Sequence, residues 1–195
     1  MMKGKKMSKT QGFTLIEVLI SMMILAVGLL GLAALQATGL RNNLSAYNRS
    51  QATQLAYDLA DRMRANSADT GTLAASTYNT MSPTAAVVQN NCKLVANACT
   101  PAQMAQNDLF EWNRAIAGGP AVVGPPVMVA MPATLPLGQG IISGDPIGDF
   151  PNQKMLYTIT INWDDNRDGC VNPGDAGAGC AGKPNDPNFQ MRFQL

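Results

Sequence analysis

The chain has 195 residues, of which 46% are hydrophobic and 14% charged, and its formal net charge is +1 at pH 7. That balance excludes a disordered chain and a many-spanning membrane protein, and the length suits one modest domain with an appendage. Lys3, Lys5, Lys6 and Lys9 all fall in the first 12 residues, and removing that segment leaves 10 basic against 13 acidic residues, a net of −3. Nucleic-acid binding by a basic face therefore has little support. There is no histidine, and aromatics make up only 6%. The commonest general base and the commonest metal ligand are thus missing, which leaves an enzyme reading little to build on.

After the basic leader, Phe13 to Ala37 reads "FTLIEVLISMMILAVGLLGLAALQA", a run whose only charge is Glu17. As a helix it would span about 37 Å, enough to cross a bilayer core with some tilt. A secretory signal peptide is the competing reading. Its apolar part should be shorter, about 7 to 15 residues, and should end at a small-x-small cleavage site, which this run does not show. Basic residues ahead of the span predict a cytoplasmic N-terminus and an exported remainder. A carboxylate at membrane depth costs on the order of 2.5 to 3.5 kcal/mol if central, so Glu17 needs an explanation. Near the helix N-terminus it can snorkel and meet the positive end of the helix dipole. It can also pair with a cation: a cut between Gly12 and Phe13 would create an α-amino group four residues away.

From Arg41 to Asn66 there is no Pro or Gly, and Ala52, Leu55, Ala56, Leu59 and Met63 recur at helical spacing among polar residues. The expectation is one helix of more than fifty residues, apolar all round and protruding in its first half, amphipathic and packed on a head in its second. Beyond Asn66 the texture becomes rich in Ser, Thr, Gly, Pro and Asn. Cys92, Cys99, Cys170 and Cys180 show no zinc spacing, so disulfides in an oxidising compartment are expected. Three connectivities are possible, and the spacing favours Cys92 with Cys99 and Cys170 with Cys180.

"PAQMAQNDLFEWNRAIA", residues 101–117, predicts a helix with Thr100 as cap, Pro101 at its first position and Gln103 closing a capping box. Gly118, Gly119 and Pro120 end it, and Ala105, Leu109, Trp112 and Ile116 share its core face. Val122 to Met131, interrupted by Pro125 and Pro126, predicts an irregular or edge strand. Two clearer strands follow. In "LYTITINW", Tyr157, Ile159, Ile161 and Trp163 point one way, and in "FQMRFQL", Phe189, Met191, Phe193 and Leu195 alternate with polar residues. The buried face of the resulting antiparallel sheet is where the amphipathic half of the long helix should rest.

Between those strands, "DDNRDGCVNPGD" has the spacing of an EF-hand-like calcium loop. Asp164, Asn166, Asp168, Asn172 and Asp175 stand at positions one, three, five, nine and twelve, Gly169 at six, and Cys170 would offer its backbone carbonyl at seven. No helix obviously flanks it, and Asp, Asn and Gly are also the usual residues of a polar connection. Calcium is thus a candidate ligand, and no other cofactor is required.

Residues 12–21, "GFTLIEVLIS", after a short lysine-rich leader, resemble the class III signal of type IV prepilins and type II secretion pseudopilins. The resemblance implies that a prepilin peptidase cuts after Gly12, that Phe13 becomes the methylated N-terminus, and that Glu17 pairs with the N-terminal amine of a neighbouring subunit. "QLAYDLADRMRAN" (54–66), followed by a cysteine pair, "CTPAQMAQNDLFEWNRAI" (99–116) and a closing pair of strands, looks like the minor pilins of the type IV pilus modification protein (PilV) family more than a major pilin. Many major pilins carry a helix-breaking proline in the apolar half, and this chain has none there. Gly28 and Gly31 can allow bending or close helix approach instead.

The expected organisation is a leader (1–12), a transmembrane and assembly helix (13–37), its amphipathic continuation (38–66) and a head (67–195), in an α+β, type IV pilin-like fold. What the resemblance implies is a minor pilin that sits in the inner membrane with its head in the periplasm before assembly, and in a surface pilus afterwards. Its partners would be other minor pilins and the major pilin, the prepilin peptidase and a tip adhesin. The alternatives are a type II secretion pseudopilin and a single-pass anchored periplasmic binding module.

Overall fold

The computed structural model describes residues 12–87, 92, 99–122, 128–148, 153–165, 169–171 and 188–195. Helix α1 runs unbroken from Leu15 to Ala65, because no proline interrupts it and the glycines at 28, 31 and 39 each cost only about 1 kcal/mol against alanine. The chain divides into two compact units, Met1–Leu44 and Ser45–Leu195. In the first unit every described residue is exposed, although this stretch is apolar enough to cross a membrane. A helix that is hydrophobic on all sides is not finished until lipid or other helices surround it.

The second unit explains the change of pattern along α1. Ala52, Ala56, Leu59, Ala60 and Met63 are fully buried, recurring at three and four residues so that they form one stripe. The alanines keep that stripe thin enough for other elements to approach closely. Short turns follow: α2 (Ser67–Thr70), α3 (Thr77–Thr80) and two 3-10 turns at Leu73–Ala75 and Pro83–Ala85. Then α4 spans Pro101–Ala117, with the expected capping box between Thr100 and Gln103 and a left-handed Gly118 (φ 75°) at its end. Ala105, Leu109, Trp112 and Ile116 of α4 join the same core as the α1 stripe and Met155, Tyr157, Ile159, Ile161 and Phe193 from the sheet. The indole N–H of Trp112 donates to the Leu55 carbonyl at 2.8 Å, tying α4 to α1.

The sheet is antiparallel, in the order β3–β4–β5: β3 is Gln139–Ile147, β4 Lys154–Asn162 and β5 Asn188–Gln194. β4 and β5 lie where the two-residue alternation places them, with Met155, Tyr157, Ile159 and Ile161 inward. The third strand is a correction. The described residues of the 122–131 stretch do not join the sheet; β1 (Gly119–Val122) and β2 (Met128–Met131) pair with each other in a separate two-stranded ribbon, and 123–127 lie outside the described residues. β3 supplies the missing strand, from a stretch that reads as a loop because Gly140, Gly144 and Pro146 interrupt it. The reason is packing. A Cβ built at Gly140 would lie 2.3 Å from Cζ3 of Trp112, so the ring of α4 rests directly on the strand backbone. Pro146 is tolerated because β3 is an edge strand.

Candidate assembly site

At the N-terminal end, Gly12 and Phe13 precede the helix and are exposed, Phe13 to 83%. The first turn of α1 is held by bonds from the Glu17 and Val18 N–H groups to the Thr14 carbonyl at 3.1 and 3.4 Å. This end also shows a signal that the residue pattern contained: Thr14-x-x-Glu17 has the spacing of a capping box. Among the described residues, however, no donor or cation meets the Glu17 carboxylate. The Ser21 hydroxyl donates 2.7 Å to the Glu17 backbone carbonyl instead. Glu17 therefore sits in the first turn of an exposed apolar helix, at the positive end of the helix dipole. Residues 1–11, the remainder of the leader, lie outside the described residues.

In the head, charged side chains fasten α1 to α4 and α3, which spacing alone does not reveal. Arg62 reaches Asp58 at 2.9 Å, Glu111 at 3.0 Å and Asp108 at 3.3 Å. The Tyr78 hydroxyl donates 2.6 Å to the other oxygen of Asp108. Burial pushes Asp108 above its ordinary value, against the opposing pull of Tyr78 and Arg62. Burial together with the Asp108 carboxylate raises the Tyr78 phenol. Burial alone would lower Arg62, but the bond to Glu111 and the nearby Asp58 and Asp108 outweigh it, so Arg62 is held charged. Only the Asp58-to-Arg62 step is legible as helical spacing; the other partners come from α4 and α3.

The sequence-predicted calcium loop is partly described. Asp164 is buried, and its carboxylate accepts from the Gly169 N–H at 2.8 Å, with Gly169 at φ 84° where the loop has to turn. Next to it, Asp165 accepts from Asn48 of α1 at 3.0 Å and from the Trp163 indole at 3.2 Å. Burial opposes ionisation of Asp165, but Ser45, Asn48, Trp163 and nearby Arg49 lower it overall. The loop is thus fastened to α1 at its first residues. Asn166, Asp168, Asn172 and Asp175 lie outside the described residues. Of the cysteines, Cys92 and Cys99 form a disulfide immediately before the α4 cap. Cys170 is also disulfide-bonded, and Cys180 lies outside the described residues.

Comparison with known families bears on both halves of α1. Residues 34–110 match the family described as type IV pilin Tt1218, and residues 7–33 match the prokaryotic N-terminal methylation motif. The chain carries a type IV pilin domain behind a prepilin-type methylation motif. No curated protein matches the chain, and no solved structure does. The two matches meet within α1, so the pilin domain takes in the amphipathic part of the helix, its turns and most of α4, while the motif takes in Gly12, Phe13 and Glu17. Type IV pilins are structural subunits rather than enzymes, and together the matches support a pilin subunit of a pilus or pseudopilus, processed by a prepilin peptidase and assembled with other pilins. An inner-membrane anchor fits the motif and the apolar helix.

Proposed function

We propose that the chain is a minor pilin of a type IV pilus, cut between Gly12 and Phe13, methylated on Phe13, and taken from the inner membrane into a priming or tip complex with other pilins. One observation carries the reading: the Glu17 carboxylate, inside an exposed apolar helix, has no intrachain cation among the described residues. Bundling with other apolar helices places that charge in a still less polar setting, where an unpaired carboxylate is unfavourable. The α-amino group of a neighbouring subunit, positive after processing, offsets it and sets the axial register of the two helices. Mechanism here means packing: lipid contacts are exchanged for helix contacts, with one charge pair selecting the stagger.

The experiment is the N-terminal mass of the protein extracted from membranes, followed by Glu17→Ala. A chain starting at methylated Phe13, with Glu17→Ala processed normally but absent from sheared pili, is the expected result. An intact Met1 or a cut near Ala37 overturns the reading in favour of an anchored periplasmic module. Deleting the gene and scoring surface pili against secreted enzymes separates a pilin from a pseudopilin; loss of secretion with normal piliation rejects the pilus assignment.

We further propose that residues 164–175 hold a calcium ion. Support comes from the ligand spacing and from the contact by which Asp164 closes on the turn at Gly169.

A further inference from the structure

The two edges of the three-stranded sheet are finished differently. Met155 and Leu195 exchange both backbone bonds, at 3.2 and 3.0 Å. In an antiparallel ladder this bonded state alternates along the strand. Phe193, Met191 and Phe189 therefore turn their N–H groups toward β4 in the register of the sheet. Gln194, Arg192 and Gln190 turn theirs outward. The same parity carried across β4 makes Gly140, Ile142, Gly144 and Pro146 the outward residues of β3. On that side the edge is interrupted at two of its outward positions: Pro146 has no N–H, and the Gly144 N–H donates to the Asn79 side chain of α3 at 2.8 Å. Among the described residues, none of these devices is present on the β5 side. Gln190, Arg192 and Gln194 are exposed, and among the described residues nothing bonds to their outward backbone groups. An open edge of this kind is a template for another strand, and sheets that must stay single cover or interrupt it.

We propose that the outer edge of β5 docks an extended segment of a partner protein, one that alternates apolar and polar residues and carries an acidic residue opposite Arg192. Backbone bonds to Gln190, Arg192 and Gln194 supply the affinity, and side chains on alternate positions supply the choice of partner. Phe189 and Met191 pack on the core yet remain only half-buried, so the apolar positions of an added strand would complete their cover. On the other face Arg192 is the sole charged residue of β5 and makes no ion pair among the described residues, which favours a partner bearing the opposite charge. A second copy of β5 fits poorly, since neither strand would bring an acid to Arg192. The proposal stands on the head alone, so its failure leaves the reading of Glu17 untouched.

The test uses the full chain in detergent and a short fluorescent peptide of alternating valine and threonine with one central glutamate. Saturable binding in fluorescence anisotropy is expected, weakened about threefold when lysine replaces the glutamate. Gln190→Pro removes an outward N–H without touching the β4 ladder, and should weaken binding about tenfold while the melting temperature holds. Arg192→Glu leaves the backbone intact and should reverse the charge preference, giving a second reading if the proline variant folds poorly. No saturable binding, or an Arg192→Glu variant that still prefers the glutamate peptide, overturns the proposal. So does a wild-type dimer that Gln190→Pro dissociates, because the edge would then belong to a second copy.

Discussion

Gly140→Ala probes the contact on which the unpredicted strand β3 depends. The added Cβ would lie 2.3 Å from Cζ3 and 2.5 Å from Cη2 of Trp112, and 3.0 Å from Cδ1 of Ile116. Carbon atoms settle at about 3.5 to 4.0 Å, so the indole must retreat by about 1 Å or more. It has little room to do so, being 1% exposed and held by its N–H to the Leu55 carbonyl at 2.8 Å. Overpacking of this kind costs about 1–3 kcal/mol, and straining the indole hydrogen bond adds up to about 1 kcal/mol. The gain from stiffening the unfolded chain returns about 0.4–1 kcal/mol. The expected net loss is about 1–3 kcal/mol, or about 2–12 °C in melting temperature for a domain of this size. Both tryptophans, Trp112 and Trp163, lie in the second unit, so tryptophan fluorescence during urea or thermal unfolding reads the head without the apolar helix. Gly28→Ala, where nothing lies within 4 Å, should leave that transition unmoved. In a Trp112→Phe background, which removes both crowding atoms, the penalty should shrink. A Gly140→Ala head within about 0.5 kcal/mol of wild type, or a penalty equal in both backgrounds, refutes the packing account of β3.

Asp108 has a folded value raised by burial, so its contribution to stability is fully present below the ordinary carboxylate range and is lost as pH rises through the raised value. Asp108→Asn should flatten that part of a melting-temperature profile taken from pH 3 to 7, and an unchanged profile refutes the assignment. Asp165 has the opposite sign, since its value is lowered: its contribution is present above the ordinary range and lost as pH falls through the lowered value. Asp165→Asn should therefore lose stability near neutral pH and converge with wild type in acid, and a uniform offset at all pH values would count against this. For the 164–175 loop, millimolar calcium should raise the melting temperature of wild type and leave Asp164→Ala unmoved relative to its own calcium-free state; no shift in wild type rejects calcium.

Local signals specify α1, α4, β4 and β5, because their periodicities and caps are written in consecutive residues. The Thr100 capping box, the alanine and leucine stripe from Ala52 to Met63 and the alternation from Tyr157 to Ile161 need no distant partner to be legible. Gly12, Phe13 and Glu17 are legible for the same reason, since their chemistry lies in one short segment. β3 was hidden because its glycines serve a contact made by Trp112, and no local pattern in residues 139–147 announces an indole from α4. The separate ribbon of β1 and β2 was hidden likewise, since a strand pattern does not say which sheet it joins. The binding of Arg62 to Asp108 and Glu111, and of Asp165 to Asn48, joins residues far apart in the chain and exists only once α1, α4 and the end of β4 have packed. By itself, then, the sequence determined the helix, the single carboxylate of its apolar half and the strands of regular period. Tertiary structure decided which strand completes the sheet, which charges become buried together and where the β3 edge is interrupted, because each of these depends on atoms that only folding brings within contact distance.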